Sequence, residues 1–177
     1  MAGRIQSEIR QSKAFAHISE EAVLNILRTS DVLTRLLTDA LKSSGLSPTQ
    51  YNVLRILRGA GTEGLPTLVI RDRMIHAAPG ITRLLDKLEK AGLARRERAS
   101  PDRRQVFCYI TEKGLEILTT LDEEMRQADE VAVGSLTDAE QRQLLKLLEG
   151  VRAVHRAGAN PLDGALTGRG PGSPPAD

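Results

Sequence analysis

The chain has 177 residues, enough for one domain with a real core, and 25 Lys and Arg against 23 Asp and Glu leave a formal net charge of only +2. A single cysteine, Cys108, excludes an intrachain disulfide framework and a cysteine-rich zinc site, and His17, His76 and His155 lie too far apart in sequence to suggest a metal site. No apolar run approaches the ~18 residues that span a bilayer, and no export signal is visible. A cytoplasmic prokaryotic protein without metal, cofactor or membrane partner is therefore expected.

Residues 1–18 have weak periodicity and read as an N-terminal extension, either a short extra helix or a partly disordered arm. At Ser19 the pattern sharpens. Ser19 is a candidate cap, Glu20 and Glu21 suit the positive end of a helix, and Val23, Ile26, Leu27, Leu33, Leu36, Leu37, Ala40 and Leu41 recur at helical spacing. This helix should reach about Lys42 and stop near Gly45. Ser47, Pro48 and Gln50 form a capping box with proline at the first helical position. The helix they open carries Tyr51, Val53, Leu54, Ile56 and Leu57 and ends at Gly59 to Gly61. Pro66 is expected to start a short helix, His76 and Ala77 to form a turn, and Pro79 to open the next helix. That helix has Ile81, Leu84, Leu85, Leu88 and Ala91 on one face, with Gly92 as its C-terminal cap. Two helices joined by a tight turn match a helix-turn-helix.

Leu93 to Arg98 and Gln105 to Ile110 read as short strands. In the second, Val106, Cys108 and Ile110 alternate with Phe107 and Tyr109, and Ala99 to Arg103 between the strands is turn material. Thr111 caps a further helix with Leu115, Ile117, Leu118, Leu121, Met125 and Ala128 inside. Thr137, Asp138 and Glu140 cap a last one with Leu144, Leu145, Leu147, Leu148, Val151 and Val154. After Gly158 the chain becomes rich in Gly, Pro and Ala and should be disordered. The fold class is mainly α with a small β-hairpin wing. Its parts are a helix over 19–46, a winged helix-turn-helix over 47–111, helices over 112–157 and a tail over 158–177.

Charge is distributed unevenly. From Arg71 to Arg104 there are ten Lys or Arg and five acids, a local excess of +5 that leaves the rest of the chain at −3. A basic segment in an otherwise slightly acidic protein is a footprint of polyanion binding. A solvated charged face would look the same by charge alone, but here a candidate reading helix is followed at once by a wing. On that helix Gly80, Thr82, Arg83, Asp86, Lys87 and Lys90 lie opposite the leucines. Gly80 lets a DNA backbone approach closely. Thr82 suits a phosphate or a thymine methyl, Arg83 suits bidentate contact with guanine, and the later lysines suit phosphates. Arg98 on the first strand joins them, and Arg103 and Arg104 at the hairpin tip suit a narrow minor groove.

The motifs PGITRLLDKLEKAGL, ARRER and SPDRRQVFCYITEKG, preceded by LSPTQYNVLRIL, resemble the MarR family of bacterial transcription factors over roughly Leu24 to Val154. The resemblance implies a homodimer whose first and last two long helices intertwine, so that 19–46 and 112–157 become dimerisation helices. It implies DNA contact through Thr82, Arg83 and Lys87 and through Arg103 and Arg104, on a pseudo-palindrome with half-sites ~34–36 Å apart. It also implies control by a small lipophilic or phenolic ligand bound between the dimer base and the reading head. Tyr51 and His76 are candidates for that ligand site, His76 equally as a capping or phosphate-facing residue. Some relatives sense oxidants through a cysteine near the first helix, and this chain has none there. Cys108 is instead expected to be buried with Val106 and Ile110. The expected function is a sequence-specific DNA-binding regulator, a repressor released from its operator by a ligand. The alternative is a winged-helix protein–protein interaction module. An enzyme is not expected, because no carboxylate pair, Ser-His-Asp set or phosphate-cradling glycine loop is placed by a motif.

Overall fold

The computed structural model describes residues 4–76, 79–98 and 106–153. The elements follow in the order α1 (Arg4–Glu8), α2 (Ile18–Ala40), α3 (Pro48–Ala60), β1 (Leu65–Pro66), α4 (Thr67–Arg73), α5 (Ile81–Lys90), β2 (Ala94–Arg98), β3 (Val106–Ile110), α6 (Glu112–Val133) and α7 (Asp138–Ala153). They fall into two compact units, Met1–Ala132 and Val133–Asp177.

The first unit is built on an aliphatic core. Leu41, Val53, Leu54, Leu57, Ile70, Leu85, Leu88, Cys108, Leu118 and Leu121 are all fully buried, and they draw one apolar stripe each from α3, α5 and α6 into a single cluster. Full burial of each large aliphatic side chain is worth about 1.5–3 kcal/mol, so this cluster outweighs any surface ion pair in the unit. The strands form an antiparallel sheet in the order β1-β3-β2, with Arg96 opposite Cys108 and Arg98 opposite Val106.

Local chemistry sets the element ends. The Ser47 hydroxyl accepts from the Gln50 N–H at 3.3 Å while the Gln50 amide oxygen accepts from the Ser47 N–H at 3.0 Å, which satisfies two otherwise unpaired donors at the start of α3. At the end of α5, Gly92 takes a left-handed φ of 72°, and the N–H groups of Gly92 and Leu93 return to the carbonyls of Glu89 and Leu88 at 2.9 Å each. Thr111 then starts α6. Its hydroxyl accepts from the Gly114 N–H at 3.1 Å and donates to the Gly92 carbonyl at 2.7 Å, and Lys113 Nζ donates to the Ala91 carbonyl at 3.0 Å.

Several expectations shift. The first long helix begins at Ile18, so Ser19 lies inside its first turn and makes no cap. Pro66 caps the short helix expected there, α4, and it also ends β1, a third strand the residue pattern did not signal because it is only two residues long. Leu65 and Pro66 pair with Cys108 and Phe107. Pro79 precedes rather than opens the reading helix, which is capped by Gly80 and begins at Ile81. Leu115 is exposed in the single chain, unlike Leu118, Leu121 and Met125.

The second unit contains α7, opened by the expected capping box. The Thr137 N–H donates to the Glu140 carboxylate at 2.8 Å, and this bond holds the Glu140 carboxyl below its ordinary range. Leu144, Leu145, Leu147 and Val151 are exposed in the single chain, Leu147 to 61%. Val154 lies outside the described residues.

Two expected outcomes test this packing. A Cβ built at Gly114 would stand 2.3 Å from the Leu93 carbonyl oxygen, backbone that cannot swing aside. Gly114→Ala should therefore lower stability by about 1–3 kcal/mol, read as a shift of the thermal or urea midpoint. Cys108 is fully buried, with Thr67 Oγ1 3.7 Å from its sulfur, and burial pushes its thiol above the ordinary range. An aromatic disulfide reagent at pH 8 should label it only once the chain is unfolded. Fast labelling of the native protein would show that β3 opens locally.

Candidate nucleic-acid interface

The candidate contacts begin on α5. Ile81, Leu85 and Leu88 are buried, and at ~100° per residue this turns Thr82, Arg83, Lys87 and Lys90 outward, where all four are exposed. Gly80 caps the helix with no side-chain hydrogen bond to the first turn, so backbone amides there remain available to an anion. A Cβ at Gly80 would meet nothing within 4 Å, so no neighbour among the described residues demands glycine at this place. Beside the helix, Ser47 and Thr49 at the start of α3 face Gly80, Arg83, Leu84 and Lys87 across an open cleft of about 280 Å³. The turn leading to α5 is tied down by Asn52 of α3, whose Oδ1 accepts from the Ile75 N–H at 3.0 Å.

The cations of the basic segment divide into two kinds. Arg73, Arg83, Lys87, Lys90 and Arg98 have no carboxylate partner among the described residues. Arg71, Arg95 and Arg96 are engaged. Arg71 pairs with Asp72 at 3.0 Å. Arg95 pairs with Glu97 and stacks over the Tyr109 ring, 4.2 Å from its centroid. Arg96 reaches from β2 to α5, where its Nε donates to Glu89 at 2.9 Å and its Nη2 to Asp86 at 2.6 Å. The Arg96 backbone N–H also donates to Glu89, at 3.2 Å. The guanidinium beside Glu89 holds that carboxyl below its ordinary range, so as pH falls the pair is lost later than a free glutamate would take up its proton. The basic excess counted from the sequence therefore overstates what is free to meet a polyanion.

The remaining candidates are separated. Tyr51 lies in the core of the first unit, 7% exposed, with the Arg55 guanidinium 5.8 Å from its ring centroid. His76 is exposed after α4, and among the described residues no hydrogen bond or ring contact joins it to Tyr51. Arg103 and Arg104 lie outside the described residues, in the sequence between the paired strand ends Arg98 and Val106. Sequence reasoning missed the role of Arg96. The only trace of it was two acids three residues apart on a helix followed by an arginine, and that trace has meaning only once β2 is known to run beside α5.

The family model for the MarR family matches residues 44–105. Over 116 residues the chain is 32% identical to an uncharacterised HTH-type transcriptional regulator, YkoM of Bacillus subtilis, covering 64% of this chain and 74% of that protein. The crystal structure of a MarR transcription factor from Planctomyces limnophilus is 39% identical, with a TM-score of 0.60 over 76% of this chain and 98% of that one. Bordetella bronchiseptica BpsR, whose DNA binding is regulated by 6-hydroxynicotinic acid, shares the fold at 18% identity, with a TM-score of 0.68 over 74% of this chain and 98% of that one. A three-stranded sheet carrying a helix-turn-helix, a reading helix with unpaired cations on its outer face, and these likenesses converge: the chain belongs to the MarR family of winged helix-turn-helix, DNA-binding transcriptional regulators.

Proposed function

We propose that the protein is a homodimeric repressor that holds a pseudo-palindromic operator and is released from it by a small molecule. The observation that carries the DNA contact is the outer face of α5, where Arg83, Lys87 and Lys90 stand without acidic partners among the described residues, beside a helix start that has no side-chain cap hydrogen bond. In this reading Gly80 lets the backbone of DNA come close, Thr82 meets a phosphate or a thymine methyl, Arg83 reads a base edge, and Lys87 and Lys90 meet phosphates. Arg98 extends the phosphate contacts along the wing, and Arg103 and Arg104 enter the minor groove.

Dimerisation is supported by apolar surface that a lone soluble chain has little reason to show. Ile18, Val23 and Leu27 on α2 and Leu144, Leu145, Leu147 and Val151 on α7 are exposed in the single chain. Ligand release is supported by the likeness to BpsR, whose DNA binding responds to a small aromatic acid. A ligand that binds the DNA-free spacing of the two heads better than the DNA-bound spacing would shift the equilibrium by its difference in affinity. No helix among the described residues is long and apolar enough to cross a membrane.

Two measurements test the proposal. Binding to duplex DNA should fall steeply with salt, and Lys87→Ala should flatten the slope of log affinity against log salt by about 0.9 per lost phosphate contact. A parent slope near zero would remove the phosphate assignment. Sedimentation equilibrium should find a dimer, and Leu147→Ala should weaken it by about 2–5 kcal/mol for each leucine fully buried at the interface. An unchanged dimer would place the interface elsewhere.

A further inference from the structure

We propose that Arg96 is a positioning and charge-masking residue for DNA recognition: its guanidinium covers the two acids of the reading helix and ties that helix to the wing strand. This inference rests on the DNA-binding reading of α5. The helix carries Arg83, Lys87 and Lys90 but also Asp86 and Glu89, so by itself it offers only +1. Asp86 is not out of the way. At ~100° per residue it lies about 40° round the helix from Lys90 and about 60° from Arg83, among the cations that should meet phosphate. An uncovered carboxylate there would repel the backbone its neighbours attract.

Arg96 removes that conflict. One guanidinium contacts both acids, donating to Asp86 at 2.6 Å and to Glu89 at 2.5 and 2.9 Å. Its side chain is 26% exposed, less than the 42% and 39% of the acids it binds, so it approaches from the flank and does not compete for the outer face. The fork of an arginine suits this task, because a lysine has a point charge and cannot span two carboxylates in fixed geometry. The arrangement also carries position. Glu89 accepts from the Arg96 backbone N–H as well as from its side chain, so one carboxylate of α5 fixes the main chain of β2. Two residues further on is Arg98, a cation at the end of that strand with no acidic partner among the described residues. Arg96 thus adds a polar tie between helix and wing to the apolar packing of Leu93 and Ala94 against the core.

The test is a cycle of variants of the full chain, each titrated with a mixed-sequence duplex several helical turns long at low salt, with thermal unfolding recorded in parallel. Arg96→Gln should weaken binding about tenfold by uncovering both acids. Asp86→Asn with Glu89→Gln should bind about threefold tighter than the parent, because Arg96 is released, and adding Arg96→Gln to that pair should cost no more than about threefold. Arg96→Lys should fall between the parent and Arg96→Gln. A purely structural tie would not be relieved by neutralising the acids. Wild-type affinity for Arg96→Gln, or an undiminished Arg96→Gln penalty in the neutralised background, overturns the proposal while the DNA reading stands. Failure of the parent itself to bind duplex DNA sinks both. If Arg96→Gln does not fold, Arg96→Lys in the two backgrounds decides by the same criterion.

Discussion

The apolar stripe of α5 is the constraint on which the rest depends. Ile81, Leu85 and Leu88 are buried in the cluster that also takes Leu54 and Leu57 from α3 and Leu118 and Leu121 from α6. A helix of 10 residues is too short to hold its shape in water on propensity alone, so its conformation is a product of this packing. Once those three side chains are inward, the rotation of the helix is settled, and with it the direction of Arg83, Lys87 and Lys90. The functional face is thus set by the residues that never meet a ligand.

Charge then sorts the surface. Cations that run along the same short segment of sequence end in different roles because geometry gives some of them a carboxylate and denies it to others. Arg95 and Arg96 stand next to each other on β2, yet one stacks on Tyr109 and pairs with Glu97 while the other crosses to α5. Arg58 leaves α3 altogether and binds Asp122 of α6 through both carboxylate oxygens, at 3.0 Å each. What remains unpaired on the outer face of α5 is a smaller set than the composition suggests, and the two acids of that helix are held by Arg96.

Much of this architecture was legible in the residues. Helical periodicity, two capping boxes, Gly92 after the reading helix and alternation through Phe107 and Tyr109 are local signals with local causes, and the elements follow them closely. What could not be read arises from contacts distant in sequence. Strand β1 exists because Leu65 and Pro66 meet Cys108 and Phe107, and two residues leave no period to detect. Gly114 reads as an ordinary helix residue until the Leu93 carbonyl is found where its side chain would be. The site was legible to the same degree. The outward residues of α5 follow from its leucines, whereas the engagement of Arg96 with Asp86 and Glu89 depends on how two elements lie side by side.

The junction between α5 and α6 has a mechanical meaning. The last carbonyls of the reading helix region are taken up by the first residues of α6, through the Thr111 hydroxyl, the Thr111 N–H and Lys113 Nζ. Gly114, with no side chain, lets that start press directly on Leu93. Where β2 leaves α5 and β3 enters α6, the two strands are clasped together, Ala94 opposite Ile110. The end of one helix and the beginning of the other therefore share a single hinge pin, and the bonds that anchor α6 are made on the residues that follow α5.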